Sequence, residues 1–268
     1  MSTNLVNLNL HPYKTPVVTA TGVHHAIQWL QTAPVRIFCC HTWAFDATVE
    51  SPVQNALYMA LFYCHTMTQI ELHRFPLHKM AEAFRVTMPP SMHILRLHDC
   101  ELSLANLLRF GQAIQRSCLN ELFLRRLYPD AATQEDDYNE DVGQLLTVCW
   151  IHKTTLTLTD CGVVMDQQCM GLFLQQCNVV HLSLAWSALN DTDVSWLVRV
   201  MQANTSIRAL NLKSNYITVK GAIALFHFND NRVEPLQELC VLGNDAKWTD
   251  NRVRLCVLAQ KMGIQALT

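Results

Sequence analysis

The sequence predicts an α/β fold, a solenoid of strand–helix units with a parallel β-sheet on the inside and α-helices on the outside. Three observations carry this expectation. A short phrase recurs, L-x-L-x-x-(N/C/S)-x-(L/V/I), as in "LRLHDCELS" from Leu95 to Ser103, "LTLTDCGVV" from Leu156 to Val164, "LSLAWSALN" from Leu182 to Asn190 and "LNLKSNYIT" from Leu210 to Thr218. Between the phrases the apolar period changes from 2 to about 3.6, the change from strand to helix. The intervals leave room for the crossovers of roughly a dozen residues or more that parallel neighbours need, and such crossovers are right-handed.

Taken in order, the second apolar residue of the phrase falls at Leu72, Leu97, Leu124, Leu158, Leu184, Leu212 and Val241, with weaker marks before them at Leu10 in "LNLHPYK" and Cys40 in "FCCHTWAF". Alternate strand positions are polar because one face of each strand is wet and only the other is buried. After Cys40, "SPVQNALYMALFYC" reads as a helix with Ser51 as N-cap and Pro52 at the first helical position. Further helices are expected over Leu104 to Ser117, Glu140 to Trp150, Met165 to Cys177 and Thr218 to Phe228. In "DTDVSWLVRVMQAN", Val194, Leu197, Val198 and Met201 form one apolar stripe. Thr249 and Gly263 bound an expected C-terminal helix covering the last repeat. One longer interval holds "YPDAATQEDDYNED", Tyr128 to Asp141, an acidic stretch with no apolar period that reads as a rim loop, with Arg125 and Arg126 before it as counter-charges for Glu135, Asp136 or Asp137.

This phrase, repeating every ~25–34 residues, resembles the leucine-rich repeat, and in particular the ribonuclease-inhibitor-like subclass in which a full helix follows each strand. The resemblance covers residues 67 to 246 well. It implies a single domain over residues 1–268 shaped as a horseshoe, with degenerate repeats and a cap over 1–66, regular repeats over 67–246 and a cap helix over 247–268. It also implies that Cys100, Cys161, Ser187, Asn215 and Asn244 tuck inward at the turn after each strand, where they satisfy backbone groups. Trp43, Phe75 and Leu127 occupy that position elsewhere and leave the turn geometry of their units open.

Composition limits the alternatives. A chain of 268 residues, half of them apolar, with a net charge of −2, can bury a large core and lacks the basic excess of a nucleic-acid or anionic-membrane binder. Its 11 cysteines contain no C-x-x-C pair, which points to buried thiols and a reducing, soluble, cytoplasmic setting. The longest apolar run, Ala56 to Cys64, is far short of the ~20 residues of a membrane span. Two N-x-[ST] sequons, at Asn190 and Asn204, are short enough to arise by chance.

No P-loop, G-x-G-x-x-G, H-E-x-x-H or G-x-S-x-G motif is present, so the chain reads as a non-enzyme without a cofactor or small-molecule substrate. The 12 histidines include the local groups His24 with His25, His73 with His78 and His93 with His98, but none has a carboxylate or cysteine at ligand spacing, so no metal is expected. What remains is the wet face of the strands. Arg96, His98, Phe123, Arg125 and Trp186 are the candidate partner-binding residues, with Phe123 as the anchor, because aromatic and arginine side chains dominate protein interfaces. The expected function is binding of a protein partner through this concave face. The alternative is a regulator resembling the leucine-rich GTPase-activating proteins for Ran.

Overall fold

A computed structural model of the chain describes residues 7–10, 15–75, 77, 83–85, 87–102, 104–127, 155–159, 167–244 and 265–267. The acidic stretch 128–141, the helix expected over 140–150, the turn residue Cys161 and most of the C-terminal segment lie outside these residues. The chain forms two compact units, Met1–Asp141 and Val142–Thr268.

In the first unit the strands β1 (Asn7–Leu10), β3 (Ile37–His41), β5 (Gln69–His73), β6 (Ile94–His98) and β7 (Glu121–Arg125) lie side by side, all parallel. A separate two-stranded parallel pair joins β2 (Val17–Val18) to β4 (Ala44–Phe45). The register places Leu10, Cys40, Leu72, Leu97 and Leu124 in one row. These are the residues marked from the phrase, and Cys40, Leu72, Leu97 and Leu124 are buried. A parallel row of Phe38, Ile70, Leu95 and Leu122 completes the core-facing surface. Helices α1 (Ala20–Thr32), α2 (Ser51–Tyr63) and α3 (Leu104–Gln115) provide the crossovers, with a 3₁₀ turn at Ala83–Arg85 between β5 and β6.

Helix α1 is absent from the sequence expectations. Its signal is local: Thr19 is an extended N-cap whose hydroxyl accepts from the Gly22 N–H at 3.2 Å, and Val23, Trp29 and Leu30 form its buried side. The start of α2 is corrected by one residue. Glu50, with extended backbone, is the N-cap, and its carbonyl accepts from the N–H groups of Val53 and Gln54, so Ser51 already lies inside the first turn. Proline at the following position fits a helix start, where its missing N–H has no partner to lose.

The second unit repeats the architecture. Strands β8 (Thr155–Thr159), β9 (His181–Ser183), β10 (Ala209–Asn211), β11 (Glu238–Cys240) and β12 (Gln265–Leu267) run parallel, with α4 (Gln167–Gln176), α5 (Asp191–Met201) and α6 (Val219–Asp230) between them. Asn190 caps α5 in a full capping box: its side chain accepts from the Thr192 and Asp193 N–H groups, and Asp193 accepts from the Asn190 N–H at 2.9 Å. The buried stripe of α5 is Val194, Trp196, Leu197, Val200 and Met201, while Val198, expected on it, is only half-buried. Alternation along the strand would put Thr159 on the wet face, yet Thr159, at the end of β8, and Ala185, in the turn after β9, are also buried. The sequon residue Asn204 is structural: it is buried, its amide donates to the Cys177 carbonyl, and its oxygen accepts from the Ser206 and Ile207 N–H groups.

Among the described residues, β5, β6, β7, β9, β10 and β11 are each followed by the same turn. Arg74, Asp99, Arg126, Trp186, Ser214 and Gly243 all have positive φ, and each is followed by the residue that tucks inward. Phe75 and Leu127 follow the rule and are buried, so large apolar side chains serve here as well as small ones. Trp43 does not, because the chain continues into β4 and the indole packs against Phe38, Phe45, Tyr58 and Phe75. Where the position is asparagine it bonds the backbone on both sides. Asn215 accepts from the Ser187 and Leu189 N–H groups at 2.9 and 3.0 Å and donates to the Leu184 and Leu212 carbonyls at 3.0 and 2.9 Å. Asn244 repeats this one unit later, donating to Leu212 and Val241 and accepting from Ile217.

The helix starts are coupled too. The Asp191 carboxylate in the first turn of α5 accepts from the Thr218 N–H at 2.8 Å and from its hydroxyl at 2.5 Å, and Thr218 is the N-cap of α6. One carboxylate therefore sits at two positive helix ends. Gly221 is what allows this approach, since a Cβ there would meet both the Asp191 carboxylate and the Ile217 side chain. Gly221→Ala is expected to destabilise by about 1–3 kcal/mol, the usual range for overpacking, despite alanine's better helix propensity. A denaturant titration with an unchanged midpoint would show that Asp191 yields freely.

Candidate protein-interaction face

On the side of the first unit's sheet opposite the core rows, the register aligns two further rows. One is Cys39, Glu71, Arg96 and Phe123, and the other, two residues on, is His41, His73, His98 and Arg125. Neighbouring strands lie about 4.8 Å apart, a spacing within reach of ring stacking. The histidines use it. The rings of His41 and His73 stack at 4.1 Å with a 4° interplanar angle, His73 and His98 at 4.1 Å and 7°, and His98 and Phe123 at 4.6 Å and 29°. Four rings from four successive strands form one column.

A charged row runs beside the column. Arg96 donates from Nε to Glu121 at 2.7 Å and from Nη1 to Glu71 at 3.5 Å. Glu71 also accepts from His73 Nε2 at 2.9 Å, and because an ionised carboxylate only accepts, that nitrogen carries the hydrogen. Burial opposes ionisation of Glu71, yet the His73 hydrogen bond and the nearby Arg96 charge hold its carboxyl below the usual range. The bond to Glu121 raises Arg96 above its already high value. His98 is pushed down to about 4, chiefly by burial and next by the neighbouring His73, so it is neutral at pH 7. Its Nε2 is buried without a hydrogen-bond partner and stands 3.7 Å from Glu71 Oε1. Burial pushes the Cys39 thiol up to about 11, with Glu71 adding to the effect and Arg96 opposing it.

Arg96, His98, Phe123 and Arg125 are thus brought onto one face of one unit. Two expectations about them change. Phe123 is half-buried and stacked on His98, where a free-standing ring was expected, and Arg96 is held between two carboxylates. Arg125 remains exposed. Arg126, expected to face the acidic stretch, pairs with Asp99 at 2.6 Å in the turn of the preceding repeat. Trp186 belongs to the second unit, at the left-handed turn after β9, and is 59% exposed.

Alternation along the strands puts Glu71 and His73 on this wet face, but sequence reasoning did not name His41, His73, Glu71 or Cys39 as site residues. Their partners are remote in the chain and adjacent only through strand register, so local spacing carries no trace of them. The available signal was the repeat alignment itself, which stacks the three histidines in one column. Cys39, Glu71 and His73 each offer a donor atom within 4.8 Å of the other two and form the one such group of metal-ligating side chains among the described residues. In the second unit the corresponding strand face holds a hollow of about 220 Å³ lined by Thr155, Thr157, His181, Ser183, Asn211 and Cys240 among others. No helix among the described residues is long and apolar enough to cross a membrane.

No protein-family model matches the sequence, and no curated protein matches it. Among solved structures, the chain is similar to the crystal structure of the leucine-rich repeat-containing protein LegL7 from Legionella pneumophila, with a TM-score of 0.54 and 12% identity over 97% of this chain and 88% of that one. The likeness is one of fold, and it agrees with the repeat phrase, the parallel strands and the recurring turn: the chain has a leucine-rich repeat fold.

Proposed function

We propose that this chain is an interaction module that binds a protein partner through the strand face of its first unit, with Phe123 as the anchor and Arg96, His98 and Arg125 around it. The observation that carries this reading is the ordered surface itself. A stacked column of four rings lies beside a row of ion-paired side chains, on the sheet side that the core does not use. Such a face is fixed before binding, so little rotamer entropy is lost when it is covered. Aromatic and arginine side chains held in place are the usual source of binding energy in protein interfaces. The mixed charge favours a protein over a polyanion.

Two finer points belong to the same reading. The helices that follow the strands favour the ribonuclease-inhibitor-like subclass of repeat. A reducing cytoplasmic location accords with Cys40, Cys64, Cys100 and Cys177, which are buried free thiols.

The test is to isolate a partner by affinity capture with the whole chain and to compare Phe123→Ala with Leu242→Ala, in the second unit, by titration calorimetry. Phe123→Ala is expected to weaken binding by about 2 kcal/mol or more, the size of a hot-spot loss. It should cost about 1 kcal/mol of folding stability, because the ring leaves His98 without its stacking partner. Unchanged affinity in a folded Phe123→Ala variant overturns this face as the binding site.

A further inference from the structure

We infer that Cys39, Glu71 and His73 form a binding site for a divalent transition metal of the zinc class, built across two adjacent strands of the first unit. This inference is independent of the partner-binding proposal. Its basis is geometric. Register pairs Cys39 on β3 directly with Glu71 on β5, and His73 follows on the same face, so all three side chains leave the sheet in one direction. Their donor atoms lie within 4.8 Å of one another. A tetrahedral ion sets its ligand atoms roughly 3–4 Å apart, given bonds of about 2.0–2.3 Å, so only small side-chain rotations separate this arrangement from coordination. The donor set is a thiolate, an imidazole and a carboxylate. Sulfur with imidazole selects zinc or cobalt over calcium and magnesium, which take oxygen ligands.

The surroundings fit the ion. The His73 ring is clamped at 4.1 Å between His41 and His98, which fixes its plane. Glu71 divides its oxygens: Oε1 faces His73, while Oε2 faces Arg96. A metal on Oε1 therefore leaves Arg96 as the partner of Oε2, and Arg96 keeps its shorter bond to Glu121 at 2.7 Å. Such outer contacts orient ligating groups. The fourth position is left to water, as in sites with three protein ligands, because the His98 ring, stacked at 7° on His73, cannot aim its in-plane lone pair at the same ion. Charge balances as well. On binding, Cys39 gives up its thiol proton to solvent, His73 moves its hydrogen to Nδ1 and presents the Nε2 lone pair, and the thiolate and carboxylate together neutralise a dication.

Cobalt(II) is the probe, because a thiolate bound to it produces a charge-transfer band in the near ultraviolet. Titrating the whole chain should give this band at a stoichiometry of one ion, with zinc displacing it and releasing the cobalt. The band should vanish in Cys39→Ser and persist in Cys118→Ser, which removes the one exposed free thiol among the described residues. Glu71→Gln and His73→Ala should each weaken cobalt affinity by more than the roughly 10–100-fold that loss of a ligand's hydrogen-bond partner costs. No band in the wild-type chain, or a band that follows Cys118, overturns the site. Should Cys39→Ser fail to fold, an unchanged affinity in folded Glu71→Gln and His73→Ala overturns it equally.

Discussion

Replacing Asn215 with alanine is expected to destabilise the protein by about 3 kcal/mol or more, although the side chain is polar and makes no contact with a ligand. Asn215 is 5% exposed and serves five backbone groups. Truncation leaves the Ser187 and Leu189 N–H groups without their acceptor in the repeat before it, and each buried group left unmade costs about 1–3 kcal/mol. The Leu212 carbonyl is spared, because Asn244 also donates to it at 2.9 Å. Asn215→Leu should be no milder. Phe75 and Leu127 show that an apolar residue fits this turn, but around Phe75 the backbone bonds itself, Leu77 N–H donating to the Glu101 carbonyl and Glu101 N–H to the Phe75 carbonyl. Denaturant unfolding followed by circular dichroism checks this. A loss under about 1 kcal/mol would mean that water replaces the side chain and that the asparagine ladder contributes little.

Leu184→Ala, and equally Leu158→Ala, is expected to cost about 2–5 kcal/mol. Both leucines are at or below 1% exposure, and they occupy the second leucine position of their phrases. In a solenoid each repeat rests only on its neighbours, so a cavity in one layer weakens the interfaces on both sides of it. Thr157, on the opposite face between Leu156 and Leu158, is half-buried, and its replacement by alanine should stay within about 0.5 kcal/mol. The contrast between adjacent residues is the informative measurement. Equal effects at Leu158 and Thr157 would contradict the period of two that fixes which face is buried.

What the sequence determined by itself is the repeat, its phase and the direction of each strand's side chains. The row of Cys40, Leu72, Leu97 and Leu124 in the sheet is the row of marks taken from the phrase. This was legible because burial on one face imposes a period, and a period survives in a single sequence. The recurring inward turn was legible at Cys100, Asn215 and Asn244 for the same reason, as a chemical type at a fixed offset. Helix α1 was not, because its buried residues Val23, Trp29 and Leu30 lie among polar ones and its repeat is degenerate. Nor was the shift of the α2 cap to Glu50, since capping depends on backbone angles that Ser51 could equally have adopted. Tertiary structure alone decided the functional face. His41 stacks on His73 and Cys39 meets Glu71 because a parallel sheet turns separations of 32 residues in the chain into neighbouring strands. Short-range spacing rules examine a few residues at a time, whereas the chemistry on this surface is assembled across strands, one side chain from each repeat.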